Sequence, residues 1–154
     1  MDITYLPHYE GIEKLTIKDL DDAGIDLRSA AECDIVLAPN ESCVIPLGVC
    51  IHIGSEDSGL GDNYGLYGMI APRSGYGSLF LRLANTVGII DAGYTGEIKA
   101  FVRNEGLLPI TIDRGDRFCQ IIFQPYLKGV KFNEVESLET TNREGSGFGD
   151  SGVK

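Results

Sequence analysis

Residues 83–101 read LANTVGIIDAGYTGEIKAF. Apolar residues lead up to Ile90, the string Asp91-Ala92-Gly93 interrupts them, and an alternating run resumes through Phe101. That pattern is strand, glycine-containing turn, strand, and the spacing predicts a β-hairpin. Asp91 stands where the first strand enters the turn, Tyr94 lies in the turn, and Asn85 lies six residues before Asp91. Taken in isolation, Asp91 and Gly93 are ordinary turn formers and Tyr94 a partly exposed aromatic.

Outward from this stretch, period-2 alternation dominates. Residues 33–39, 43–53, 65–72, 97–104 and 118–126 all read as strands bounded by Gly, Pro, Asn or Asp. Short strands at this spacing point to an all-β sandwich or barrel. Residues 76–85 fit a helical turn or another strand equally well. Residues 109–117 read as a strand followed by a tight turn at Arg114-Gly115-Asp116, and the polar, glycine-rich stretch 54–65 as an exposed loop. Twenty glycines favour turns and short strands over long helices. From about Ser137 the periodicity stops, and residues 139–154 have little to bury, so they read as a mobile tail.

The 154 residues suit one domain. Hydrophobic content of 43% with 23% charged residues is globular in character. The first fifteen residues contain neither a basic nor an apolar leader, and no apolar run approaches membrane-spanning length. Four cysteines, at 33, 43, 50 and 119, form no C-x-x-C pair and suit a reduced, cytoplasmic setting. Thirteen basic against 23 acidic side chains give 13 − 23 = −10, which opposes nonspecific nucleic-acid binding. A small anionic ligand would then need local cations.

Several short stretches carry groups suited to such a ligand. In MIAPRSGYG (69–77), Arg73 offers a planar fork of donors, and Ser74 with the following N–H groups offers more. The alternative is a strand-end turn with a solvated arginine. In DDAGIDLRSA (21–30), Asp26 faces opposite to Ile25 and Leu27 if the segment is a strand. In RGDRFCQIIF (114–123), Gln120 lies three positions beyond Arg117, and by itself reads as an outer-face polar residue. The C-terminal NREGSGFGDSGVK (142–154) looks like a phosphate loop, yet lacks the Gly-Lys-Ser/Thr and the flanking strand and helix of a Walker loop. Zinc-deaminase and nucleophile-elbow signatures are absent.

In order, DAGIDLRSA, APRSG, NTVGIIDAGYTGEI, RGDRFCQIIF and REGSGFGDSG resemble the five motifs of the homotrimeric dUTP pyrophosphatases (dUTPases), from about Asp22 to Gly152. The resemblance implies a jelly-roll-like β-barrel of the dUTPase (β-clip) type over 1–138 and a flexible arm over 139–154 that covers a neighbouring subunit's site. It implies hydrolysis of dUTP to dUMP and pyrophosphate by Mg²⁺-assisted water attack on the α-phosphorus, limiting uracil incorporation into DNA and supplying dUMP for dTMP synthesis. Asp91 matches the catalytic aspartate that deprotonates the water. Main-chain groups of Gly88, Ile89, Ile90 and near Lys99, with Asn85, match the uracil-reading set. Tyr94 matches the tyrosine under the deoxyribose that leaves no room for a 2′-OH. Arg73, Ser74 and Gly75 match the phosphate-binding second motif, Gln120 the fourth-motif glutamine near the α-phosphate, and Asp26 an aspartate that reaches the metal through water. Phe148 would stack on uracil, while Arg143, Gly149 and Ser151 would meet phosphate. The implied partners are dUTP and two further copies of the chain, with no nucleic acid and no membrane, in the cytoplasm or in a host's cytoplasm if a virus encodes it. Two alternatives share the resemblance: a dUTP-switched regulatory protein, and a dCTP deaminase, which needs a glutamate beside the pyrimidine amino group.

The fifth motif departs from the family at Glu144, Ser146 and Asp150, and the third at Gly93, where an acidic residue is common. Asp150 brings a carboxylate toward the phosphates. Replacing it should therefore help the ligand bind: Asp150→Ser is expected to lower KM for dUTP in steady-state assays, and an unchanged or raised KM removes the idea.

Overall fold

A computed structural model describes residues 1–54, 59 and 61–139; the expected arm, with Arg143, Glu144, Phe148, Gly149, Asp150 and Ser151, lies outside them, as do positions 55–58 and 60 of the expected loop. The described residues contain eleven strands and one short helix. These are β1 (Asp2–Tyr5), a 3-10 turn (Pro7–Tyr9), β2 (Ile25–Arg28), β3 (Ile35–Leu37), β4 (Ser42–Pro46), β5 (Val49–His52) and β6 (Tyr64–Pro72). They continue with α1 (Ser74–Ser78), β7 (Leu81–Leu83), β8 (Gly88–Ile90), β9 (Lys99–Asn104), β10 (Ile110–Ile112) and β11 (Arg117–Leu127). The strands form sheets ordered β2-β11-β6-β8, β4-β9-β7, β1-β5 and β10-β3, every pair antiparallel.

Alternation places the core. In β9, Ala100, Val102 and Asn104 point inward while Lys99, Phe101 and Arg103 face out. The same rule in other strands gathers Leu27, Leu37, Ile45, Val49, Ile70, Ile112 and Ile121 into one cluster with Phe118. Each such side chain contributes about 1.5–3 kcal/mol on burial. The spine is the pairing of β11 with β6, in register from Cys119↔Pro72 to Leu127↔Tyr64.

Two expectations change. The run 43–53 is two strands, because Leu47-Gly48 turns the chain; Gly48 has φ +63, and a Cβ there would lie 2.8 Å from Ala30 Cβ and 2.9 Å from the Tyr9 ring. The expected hairpin at 83–101 is an arch. β8 pairs with β6 and β9 pairs with β4 and β7, so the strands flanking the turn belong to different sheets. Ile98 bonds instead to Val49 and Leu47 of the facing chain, which draws β9 away from β8. Residues 76–85 hold both of the alternatives, the end of α1 and then β7.

Side chains close what the ladders leave open. Arg114 donates to four carbonyls, Ala30 (3.2 Å) and Ala31 (2.8 Å) through Nη1 and His8 (2.7 Å) and Glu10 (3.0 Å) through Nη2, stapling the N-terminal segment to the barrel. Asn104 is fully buried; its Nδ2 donates to the Leu37 (2.9 Å) and Leu108 (2.8 Å) carbonyls and its Oδ1 accepts from Gly106 N–H (2.8 Å). Asn104→Ala strands these backbone groups away from water. It is expected to lower stability by about 2–4 kcal/mol, read as a lower urea midpoint; an unchanged midpoint contradicts this role.

Candidate functional site

The first cleft opens where β2, β11 and the end of β6 meet. Asp26 and Gln120 are directly opposed across the β2–β11 ladder, and Arg73 follows Pro72 at the end of β6. A regular strand would send Arg117 and Gln120, three residues apart, to opposite faces. A bulge between Arg117 and Cys119 absorbs the difference: Phe118 and Cys119 are both buried, and Arg117 and Gln120 both line the cleft.

The cleft encloses about 350 Å³ and is also lined by Thr16, Lys18, Asp22, Gly24 and Ser74. Asp26 is its hub. Arg73 Nε lies 2.6 Å from Oδ1 and Arg117 Nη1 3.0 Å from Oδ2. Arg73 Nη1 also donates to the Arg117 carbonyl at 3.2 Å, and Gln120 Nε2 to the Pro72 carbonyl at 3.2 Å. Gly24 makes room for Gln120, since a Cβ at residue 24 would sit on its Oε1. Lys18, Arg73 and Arg117 outnumber Asp22 and Asp26, so the cleft is locally cationic in an acidic chain. The Arg73 and Arg117 side chains are about one-third exposed, which leaves them reachable by an anion.

The second cleft, about 210 Å³, lies under the arch and is lined by Ile89, Ile90, Asp91, Tyr94, Glu97, Ile98 and Lys99. β8 is the edge of its sheet, so one side of its backbone faces this space without a ladder partner. The turn is closed by Tyr94 N–H on the Asp91 carbonyl (3.0 Å), and Tyr94 Oη donates to the Glu97 carbonyl (2.9 Å). The Asp91 side chain is exposed at the mouth. Glu97 accepts from Gly48 N–H (3.1 Å), meets His8 Nε2 at 2.7 Å and lies 3.5 Å from Lys99 Nζ. Burial alone would raise its pKa, but the hydrogen bonds from His8 and Gly48 and the charges of His8 and Lys99 hold it below the usual carboxylate range.

Of the residues expected from sequence, Asp26, Arg73, Ser74 and Gln120 share the first cleft, and Ile89, Ile90, Asp91, Tyr94 and Lys99 the second. Gly75 lies in α1, and Asn85 and Gly88 precede the second cleft without lining it. No residue lines both clefts. Sequence reasoning missed Arg117, Lys18 and Asp22 in the first and Glu97 in the second. Arg117 was hidden by the bulge, whereas Glu97 carried no signal beyond its place in a strand pattern.

The model of the family described as dUTPase matches residues 11–152. The deoxyuridine 5′-triphosphate nucleotidohydrolases of Tolumonas auensis and Photorhabdus laumondii are each 40% identical to this chain over 131 residues, which is 84% of it and 81% and 80% of them. Among solved structures, the Staphylococcus bacteriophage 80alpha dUTPase with dUPNHPP gives a TM-score of 0.81 at 25% identity, over 99% of this chain and 98% of that one. The dUTPase of phage phi11 of S. aureus shares the fold, with a TM-score of 0.72 at 23% identity over 91% and 98%.

Because Asp26 occupies both arginines of the first cleft, an anion must compete with it. Asp26→Asn is expected to bind inorganic tripolyphosphate about tenfold more tightly than the native chain in metal-free, low-salt buffer, measured by calorimetry. Equal or weaker binding argues against an anion cradle.

Proposed function

The chain belongs to the dUTPase family, and from that premise we propose that it hydrolyses dUTP to dUMP and pyrophosphate with the two clefts acting together on one substrate. The carrying observation is the Asp91 side chain, exposed at the mouth of the second cleft and without a hydrogen bond or ion pair among the described residues. In this reading Asp91 takes a proton from water as the water oxygen bonds to the α-phosphorus. The bond from that phosphorus to the α–β bridging oxygen breaks, and the β- and γ-phosphates leave as pyrophosphate.

The free edge of β8 and the backbone near Lys99 read the uracil. Uracil offers a donor at N3 where cytosine has an acceptor, so cytosine leaves main-chain groups unpaired, a mismatch worth on the order of 10⁴ in discrimination. Asn85 and Gly88 support this edge, and Tyr94 lies under the deoxyribose. Arg73, Ser74, Gly75 and Gln120 receive the phosphates, with Ser74 donating where charge develops on the leaving oxygen. Arg117 joins them through Asp26. From another copy of the chain, Phe148 stacks on the base while Arg143, Gly149 and Ser151 meet phosphate; all four lie outside the described residues.

Mg²⁺ suits this chemistry. No cluster of three His, Cys, Asp or Glu side chains capable of holding a metal occurs among the described residues, so the phosphate oxygens themselves would hold most of the ion's shell. Asp26 has each oxygen engaged by one arginine, with lone pairs left to accept from a metal-bound water. When bound, the ion supplies positive charge to the triphosphate.

The homotrimer that the family resemblance implies is supported, as an assembly of more than one copy, by incompleteness in one chain. The two clefts share no wall, so one protomer's phosphate cradle is proposed to face another's base cleft. Val130, Phe132, Val135 and Leu138 stand in water, Phe132 at 96% exposure, and a groove lined by Ile3, Leu15, Ile17, Ile25 and Phe123 lies open. A second copy gives such surfaces something to bury. All four cysteines are free, which agrees with a reducing cytoplasm, and no described helix is long and apolar enough to cross a membrane.

The second cleft does contain a glutamate, as a deaminase would require, but the Glu97 carboxylate is held by His8 and Gly48. The assay distinguishes the two. Pyrophosphate release is expected from dUTP with Mg²⁺ and not from dCTP, dTTP or UTP, and Asp91→Asn is expected to reduce it by about 10²–10⁴-fold. Ammonia release from dCTP, or full activity in the variant, overturns the assignment.

A further inference from the structure

We propose that Glu97 is a positioning residue that sets the preference for a 2′-deoxy sugar, by fixing the backbone on which Tyr94 rests. The proposal rests on the reading of Tyr94 as the surface beneath the sugar. Tyr94 is 43% exposed, and the one side-chain hydrogen bond it makes among the described residues is from its hydroxyl to the Glu97 carbonyl, 2.9 Å away. Gly96 allows the ring to lie back over the turn, because a Cβ there would come within 2.6 Å of Tyr94 Oη. The position of the ring is therefore set by the position of residue 97.

Residue 97 is anchored by its own side chain. The side chain is 16% exposed, and its carboxylate meets His8 in the N-terminal 3-10 turn, Gly48 N–H between β4 and β5, and the nearby Lys99 in β9. Each of the first two is itself fixed. Arg114 holds the His8 carbonyl, and Leu6 N–H is bonded to the Gly48 carbonyl at 2.8 Å. A continuous set of contacts runs from Arg114 through His8 and Glu97 to the Tyr94 hydroxyl. None of these links is needed for proton transfer by Asp91. Their effect falls on where the ring stands, and hence on how much room a 2′-OH finds.

Truncating Glu97 leaves the Gly48 N–H and His8 without their acceptor and frees the carbonyl that holds Tyr94. A displacement of about 1 Å is enough to change discrimination strongly in a closely fitted site. Glutamine keeps an acceptor oxygen for both donors and should preserve the tether.

The test measures kcat and KM for dUTP and for UTP, or UTP inhibition constants where turnover is too slow, in the native protein, Glu97→Ala, Glu97→Gln, His8→Ala and Tyr94→Ala. Glu97→Ala is expected to lower the dUTP-to-UTP preference about tenfold, and Glu97→Gln to retain the preference within about twofold. If Glu97→Ala does not fold, His8→Ala carries the test, with a smaller loss in the same direction. Equal losses toward dUTP and UTP, an unchanged preference in Glu97→Ala, or a Glu97→Gln as impaired as Glu97→Ala overturns the proposal. Tyr94→Ala separates the two layers. If it keeps the native preference, the sugar-platform reading fails; if it loses the preference while Glu97→Ala keeps it, only the role of Glu97 fails.

Discussion

The bulge in β11 is the constraint on which the first cleft depends. Without it, the longest strand would alternate strictly, and Arg117 and Gln120 could not both line the first cleft. The extra residue lets two consecutive side chains, Phe118 and Cys119, enter the core, so the strand stays anchored where its pattern is broken. The burial of Cys119 also raises its thiol pKa well above the ordinary value, with the nearby Asp26 charge adding to the effect. That sulfur is packing, not chemistry. One backbone irregularity thus aims an arginine and an amide into the same cleft and seals the space behind them.

Charge is handled by the same economy. The chain carries −10 overall, yet its first cleft holds three basic side chains against two acidic ones. Asp26 is more than a partner for Arg73. With one oxygen on each guanidinium, it holds both forks at the cleft, and an arriving anion has to compete with it for them. These pairs are partly solvated, and their value lies in orientation more than in stability.

Much of this was legible in the sequence, and the limits are physical. The strand β9 could be read because it alternates strictly, with one face in the core. The short β1 could not, since three of its four residues are exposed and no burial pattern marks it. The stretch 83–101 looked like a hairpin because local turn chemistry is the same whether the flanking strands pair with each other or part to different sheets; only the long-range bonds of Ile98 to Val49 and Leu47 decide that. Asp26, Arg73, Ser74 and Gln120 were found through ordered motifs. Glu97 was not, because its significance comes from His8 and Gly48, 89 and 49 residues away in the chain.

The β2–β11 ladder joins residues 25–28 to residues beyond 116, and Arg114 reaches back more than a hundred positions to His8. Synthesis has a consequence here. As the chain leaves the ribosome, β2 has no ladder partner until β11 has emerged. Folding must wait for the last strand, and loop-closure entropy is then met all at once by many distant contacts. During that interval the apolar strands stand open, so the nascent chain has a reason to need protection that the finished barrel does not.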